Sequence, residues 1–325
     1  MKAESENPTP APATSLTDLE SGGAPYGRGQ RTSVFGISIL RRLSIYLELT
    51  KPRLTLLSVL TVLAGFYLGT RGAIDAVRLA HLLSGTALLG AGLAALNQYI
   101  EWRVDGLMQR TAGRPLPSGR LHPRVALCFG ASTCFGGIAQ LLFAVNALTA
   151  VLAASTLVLY LFCYTPLKRL THWCTIVGAI VGAIPPVMGY AAAANTLDSV
   201  ALVLFAILFV WQLPHFMAIA SLFRDDYRAA GMRMLPALDA AEKRTARQIA
   251  FHSLALLVIT LWPTYLGITG TAYLMGSLFL GFIFGAFAFD AAVNHTQQAA
   301  RRLFVASIAY LPTLLGVMMW DKIQA

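Results

Sequence analysis

The chain has 325 residues, of which 56% are hydrophobic and 12% charged, with a formal net charge of +10. Soluble proteins carry about 25% charged residues, so the composition excludes a soluble enzyme and predicts an all-α, polytopic membrane protein whose length counts spans. The excess positive charge then belongs to loop topology and anionic lipid; no aromatic platform is interleaved with a basic groove, which argues against nucleic acid as a partner.

Residues 1–33 are rich in Pro, Ser, Thr, Ala and Gly and hold Glu4, Glu6, Asp18 and Glu20. Such a segment buries too little apolar surface to offset ordering entropy, so it is expected to be a disordered cytoplasmic tail. It has no apolar signal region, and its early acids argue against a transit peptide, which points to a bacterial source. Residues 34–325 are expected to form one transmembrane domain. Its first segment, Ser33 to Lys51, places Ile37, Leu40, Ile45 and Leu47 beside Arg41 and Arg42, an amphipathic pattern suited to the membrane interface.

About nine apolar runs of spanning length follow: 54–70, 79–99, 125–145, 148–164, 175–194, 200–220, 249–267, 272–293 and 303–320. The pattern predicts two pseudo-repeated halves around a central cavity. Arg110-x-x-Gly113 matches Arg228-x-x-Gly231, and Asn97 matches His215, at one shared offset. The four cysteines, Cys128, Cys134, Cys163 and Cys174, lie in or beside apolar runs without a CxxC pair, so they read as small hydrophobes.

The stretch that carries chemistry runs from Asn97 to Gly119. Asn97, Glu101 and Asp105 recur at every fourth position, which stacks three oxygen-bearing side chains on one helical face. Hard cations such as Mg²⁺ take ligands of this kind together with phosphate oxygens. Arg110 and Arg114 follow at the same interval, and guanidinium groups match phosphate oxygens. The row begins within the membrane boundary, where ionisable groups are expensive and mark function. The residues alone therefore point to a site for a metal-bound diphosphate; a solvated helix face is the competing reading. Lys51 and Arg53, flanking Pro52, serve either as topology markers or as diphosphate contacts.

In the second half, Trp211-Gln212-Leu213-Pro214-His215-Phe216 puts a proline and an imidazole inside span six. His215 reads either as a contact to a bound ligand or as a buried histidine bonded across helices. Asp225, Asp226 and Tyr227 follow. Adjacent acids on a helix diverge by about 100°, so one is expected to ligate while the other pairs with Arg224 or Arg228. Gly178, Gly182 and Gly189, with Ala179, Ala183 and Ala191, form a small-residue face in span five that suits close helix packing or a flat ligand.

The Asn97–Asp105 row, with Met108-Gln109-Arg110-Thr111-Ala112-Gly113-Arg114-Pro115, resembles the first aspartate-rich motif of the membrane-bound aromatic prenyltransferase superfamily. Tyr164-Thr165-Pro166-Leu167-Lys168-Arg169, Gly182-Ala183-Ile184-Pro185-Pro186, Trp211–Phe216 and Asp226-Tyr227 through Met234-Leu235-Pro236 resemble its haem-farnesylating branch. The resemblance extends from about Leu49 to the C-terminus and departs in the second loop, where a D-x3-D row is replaced by Asp225-Asp226. It implies transfer of farnesyl from farnesyl diphosphate to a vinyl group of haem B, giving haem O. Mg²⁺ would be held by Asn97, Glu101 and Asp105. Arg110, Arg114, Lys168 and Asp226 would join them in catalysis, while Lys51, Arg53, Tyr164, Arg169, His215, Asp225 and Tyr227 would bind substrate. The implied partners are the two substrates, the lipid bilayer, and haem A synthase or another oxidase-assembly protein. A quinone or phenol prenyltransferase, an organic-anion transporter and a non-catalytic haem carrier stand as alternatives.

Lys and Arg concentrate in the loops after spans two, four, six and eight. The other side holds Arg71 and Arg78, with Lys322 near the end. The positive-inside rule then puts the N-terminus and the motif loops in the cytoplasm of a bacterial inner membrane, and the C-terminus outside. A reporter fused after Arg114 or Arg233 is expected to read cytoplasmic, and one after Asp198 external. A cytoplasmic signal from the Asp198 fusion would shift the span count by one.

Overall fold

The computed structural model describes residues 43–323. The tail 1–33 and the interfacial segment as far as Arg42 lie outside the described residues. Among those described, nine helices are long and apolar enough to cross a membrane. They are α1 (Pro52–Gly69), α2 (Ala76–Asp105), α3 (Pro123–Ala144), α4 (Ala147–Leu170), α5 (Cys174–Ala194), α6 (Ser199–Leu222), α7 (Lys243–Tyr265), α8 (Thr271–Asn294) and α9 (Gln297–Trp320). No strand is formed among the described residues; an isolated bridge joins Thr269 to Lys322.

Several helices begin where a side chain satisfies a free amide. Asp75 accepts from the Arg78 amide, Asn146 from Thr149, Asp198 from Val200 and Thr296 from Ala299. Proline occupies the first turn of α1 and α3, where its missing N–H leaves nothing unpaired. Several helices outrun the apolar stretch that announces them. α2 continues to Asp105, so the whole Asn97–Asp105 row lies on one uninterrupted helix.

Two apolar cores organise the bundle. One joins α2, α3 and α4 to α1 and α5 through Leu89, Leu93, Leu141, Ala153 and Ile184. The other joins α6 to α9 with the same two helices through Ala64, Val187, Leu204, Phe284 and Leu314. α1 and α5 thus form the seam between halves. They meet at very close range: a methyl added at Gly65 would overlap the Pro186 carbonyl, and one at Gly189 would overlap the Val62 carbonyl. Small residues permit this approach, which is the main way membrane helices gain packing energy. The small-residue face of α5 is therefore divided, with Gly189 serving the seam and Gly178 and Gly182 facing the interior.

Asp290, late in α8, is paired: it accepts from Asn294 Nδ2 at 2.6 Å and lies 3.5 Å from Arg302. All four cysteines are free thiols.

The seam predicts an asymmetric response to added volume. Gly65→Val or Gly189→Val should destabilise the detergent-solubilised protein by about 1–3 kcal/mol, the usual cost of overpacking, visible as a lower thermal midpoint. Gly285→Val, where an added Cβ meets nothing within 4 Å, should leave the midpoint unchanged.

Candidate active site

Asn97, Glu101 and Asp105 are 2%, 8% and 1% exposed. Carboxylates this deep require compensating partners, and each has one. Lys168 Nζ, from the end of α4, lies 3.0 and 3.1 Å from the two oxygens of Glu101. Asn97 Nδ2 donates to Glu101 Oε2 at 2.9 Å and toward Thr165 Oγ1 at 3.4 Å. Asp105 receives Arg114 Nη1 at 2.7 Å. The Thr111 hydroxyl donates to the Asp105 carbonyl at 2.7 Å, folding the loop back over the helix end.

Local backbone features aim these groups. The six residues Leu159–Tyr164 form a π-helical stretch ahead of Pro166, an irregularity common at functional sites. The Thr165 hydroxyl bonds back to the Tyr160 carbonyl at 2.8 Å. Beyond this stretch, the Lys168 ammonium sits 4.5 Å from the centre of the Tyr164 ring, a cation–π contact. Lys51, capping α1, is in the left-handed region at φ 46°, a strained setting for a non-glycine residue. Its Nζ reaches Asn97 Oδ1 at 3.4 Å. Burial, followed by the charges of Arg114 and Lys168, lowers the Lys51 pKa to about 7.

These side chains line one end of a cavity of about 460 Å³. The cationic lining residues are Lys51, Arg110, Arg114 and Lys168; the anionic ones are Glu101 and Asp105. Arg110, Arg114 and Lys168 outnumber the two carboxylates, and Lys51 adds a further charge whenever it is protonated, so the lining carries a net positive charge that suits a polyanion. Arg110 lies 4.8 Å from the centre of the Phe223 ring, with Tyr227 beyond. The cavity then runs between apolar walls that include Leu57, Leu93, Val181, Pro185 and Leu208. Three hard oxygen donors share its polar end. Lys168 and Arg114 leave free lone pairs on both carboxylates, since each carboxylate offers about four acceptor positions. No group of three or more His, Cys, Asp or Glu converges among the described residues, so a divalent ion here would draw further oxygens from substrate or water.

His215 lines the same cavity, with its ring 5.0 Å from Trp211 and 5.3 Å from Phe304. The Ser307 hydroxyl donates to the Phe304 carbonyl at 2.6 Å and lies 2.6 Å from His215 Nδ1. With its proton so committed, Ser307 accepts from Nδ1–H, and the Nε2 lone pair is left unengaged. Trp211 Nε1 donates to the Ser307 carbonyl at 3.0 Å and fixes the group.

Most of the expected residues converge, but four do not. Arg53 and Arg169 are exposed and do not line the cavity. Asp225 is exposed and pairs with Arg228 at 3.6 Å. Asp226, expected among the catalytic groups, instead accepts the backbone amides of Gln109 and Arg110 at 3.1 and 3.4 Å. The adjacent acids diverge as helix geometry requires, and Asp226 clasps the first motif loop. Thr165, Gln212 and Ser307 support the site although no charge or spacing announces them; their partners lie 68, 33 and 92 residues away.

A membrane-embedded helical bundle with an oxygen-donor row and excess cations at the mouth of an apolar cavity defines an enzyme for an anionic substrate with a greasy tail. Residues 58–311 match the model of the UbiA prenyltransferase family, and the chain belongs to that family. It is 46% identical over 286 residues to a protein of Solibacter usitatus named protoheme IX farnesyltransferase, covering 85% of this chain and 98% of that one. A like-named Opitutus terrae protein is 41% identical, with 87% and 96% covered. In fold, the chain is similar to a UbiA homolog from Archaeoglobus fulgidus bound to DMAPP and Mg²⁺. The TM-score is 0.60 at 14% identity, covering 84% of this chain and 98% of the other.

The Glu101–Lys168 pair gives a stability prediction. Lys168→Met strands a buried carboxylate and should destabilise by about 3–5 kcal/mol. Adding Glu101→Gln should recover much of that loss in thermal unfolding. Additive losses in the double variant would show that the two groups are not coupled.

Proposed function

We propose that this protein transfers the farnesyl group of farnesyl diphosphate to a vinyl group of haem B, forming haem O. The observation that carries the reaction class is the cation excess beside the Asn97–Glu101–Asp105 row at the mouth of an apolar cavity. The names of the relatives supply the acceptor.

Arg110, Arg114, Lys168 and Lys51 surround the position of the diphosphate. Breaking the bond between the allylic carbon and oxygen sends the electron pair to diphosphate, and these cations stabilise the charge that develops there. Mg²⁺, held by Asn97, Glu101 and Asp105, would supply further charge stabilisation to the leaving group when bound. The apolar walls keep water from the allylic cation until the vinyl carbon attacks. Farnesyl C1 then bonds to that carbon. Water adds to the resulting cation beside the macrocycle and loses a proton, which accounts for the product's hydroxyl.

The assignment of His215 to the haem rests on its place in the cavity and its open Nε2, a common ligand atom for haem iron. The Lys/Arg distribution supports a bacterial inner membrane location with the loops after α2 and α6 cytoplasmic. Haem O would pass onward to a haem A synthase or another oxidase-assembly protein.

Membranes supplied with Mg²⁺, farnesyl diphosphate and haem B should form a haem heavier by one hydroxyethylfarnesyl modification, read by mass spectrometry; 4-hydroxybenzoate should remain unprenylated. Glu101→Gln and Asp105→Asn should each lower turnover about 100-fold. His215→Ala should impair haem use while diphosphate binding persists. Prenylation of the aromatic acid with haem untouched would overturn the acceptor assignment.

A further inference from the structure

A second cavity, of about 620 Å³, opens on the other side of α6. Leu213 and Met217 line it, whereas Gln212, His215, Phe216 and Ile219 of the same helix line the central cavity. No residue lines both. The floor also includes Ile176 and Leu235, and the rim carries His172 and Trp173 ahead of α5.

The remaining wall is the first three turns of α7. Arg244, Arg247, Gln248, Phe251 and His252 all face the crevice, at spacings that place them on one helical face. Read along the helix, this face passes from two guanidinium groups to an amide and then to an aromatic ring. Arg244 and Phe251 lie about 10 Å apart along the axis at 1.5 Å per residue. Phe251 is 66% and Trp173 61% exposed, so both present aromatic surface to the bilayer.

Neither Arg244 nor Arg247 forms an ion pair among the described residues. Asp239 feels the charge of Arg244, but its Oδ2 is engaged by the amide and hydroxyl of Thr245 at 2.8 and 3.0 Å. His252 Nδ1 donates to the Gln248 carbonyl at 2.7 Å, which leaves Nε2 as its available atom.

We propose that this crevice binds an anionic phospholipid. Its phosphate would lie against Arg244 and Arg247, and its first chain segments would run along Phe251, Ile176 and Met217. Charge complementarity at the polar boundary selects an anionic headgroup, and the aromatic and aliphatic surface below selects an acyl chain. The crevice is linked to the catalytic wall through the backbone. The Arg233 amide donates to the Lys168 carbonyl at 2.7 Å, and Leu235 of that segment lines the crevice while Met234 lines the central cavity. A lipid seated here would brace both Lys168 and the helix that carries His215.

The full-length protein, reconstituted in nanodiscs of phosphatidylcholine with a minor share of phosphatidylglycerol, tests this by native mass spectrometry. The wild type should retain phosphatidylglycerol in preference to phosphatidylcholine. Arg244→Gln/Arg247→Gln should retain it about thirtyfold less, at roughly one kcal/mol for each of the two lost surface cations. Arg301→Gln/Arg302→Gln, with the same charge change near the start of α9, should match the wild type. Inorganic phosphate should not displace the lipid, because it lacks the chain. Equal retention of both lipids, equal loss in the two double variants, or displacement by phosphate would overturn the proposal. Displacement of phosphatidylglycerol by haem B in the wild type would also overturn it, by assigning the crevice to a macrocycle. None of these readouts depends on turnover, so they stand or fall separately from the prenyl-transfer reading.

Discussion

Two carboxylates are buried near the polar boundary of an apolar bundle, and the surrounding architecture meets the electrostatic demand they create. An unpaired charge there would force loss of ionisation or of structure. Lys168 answers Glu101 from α4, and Arg114 answers Asp105 from the following loop. Those pairings constrain the backbone around them. The π-helical stretch precedes Lys168, the loop folds back through Thr111, and Lys51 adopts a left-handed conformation as it reaches Asn97. Local irregularity accumulates where several segments must meet one charged row, as expected of a strained functional site.

Packing at the α1–α5 seam supplies the rigid frame. Gly65 and Gly189 let two backbones approach until neither position can accept a side chain. Further along α5, Gly182 leaves room for Gln212, which donates to the carbonyls of Leu208 and Ala179 at 2.9 and 3.3 Å. Glycine therefore serves two ends in one helix, close contact toward α1 and space for polar support toward the cavity.

The two halves share an offset in sequence but have diverged in chemistry. Asn97 and His215 correspond, and both face the cavity. Their surroundings differ: Asn97 sits among carboxylates and cations, and His215 is stacked between aromatic rings beside Ser307. Arg110 faces the cavity, whereas its counterpart Arg228 donates to the Ala237 carbonyl at 2.9 Å and pairs with Asp225. The first loop carries the charges, and the second holds it in place through Asp226.

The spans and the Asn97–Asp105 row were legible in the sequence because both depend on local periodicity. Apolar runs of about 20 residues have few alternatives to a membrane helix, and a four-residue repeat keeps one face whatever the helix packs against. Arg110, Arg114 and Lys168 were legible through their motifs, which carry charge at fixed intervals. Other choices required the folded chain. Arg53 and Arg169 have the same chemistry as the cations of the site, yet face away from the cavity, because which side of a helix is enclosed depends on its neighbours. Asp226 became a clasp because loops far apart in sequence close on each other. Ser307 and Thr165 acquired their roles from partners on other helices. Sequence periodicity decided which residues share a helical face; tertiary packing alone decided which faces enclose the cavity, since burial and long-range hydrogen bonds are properties of the assembled bundle.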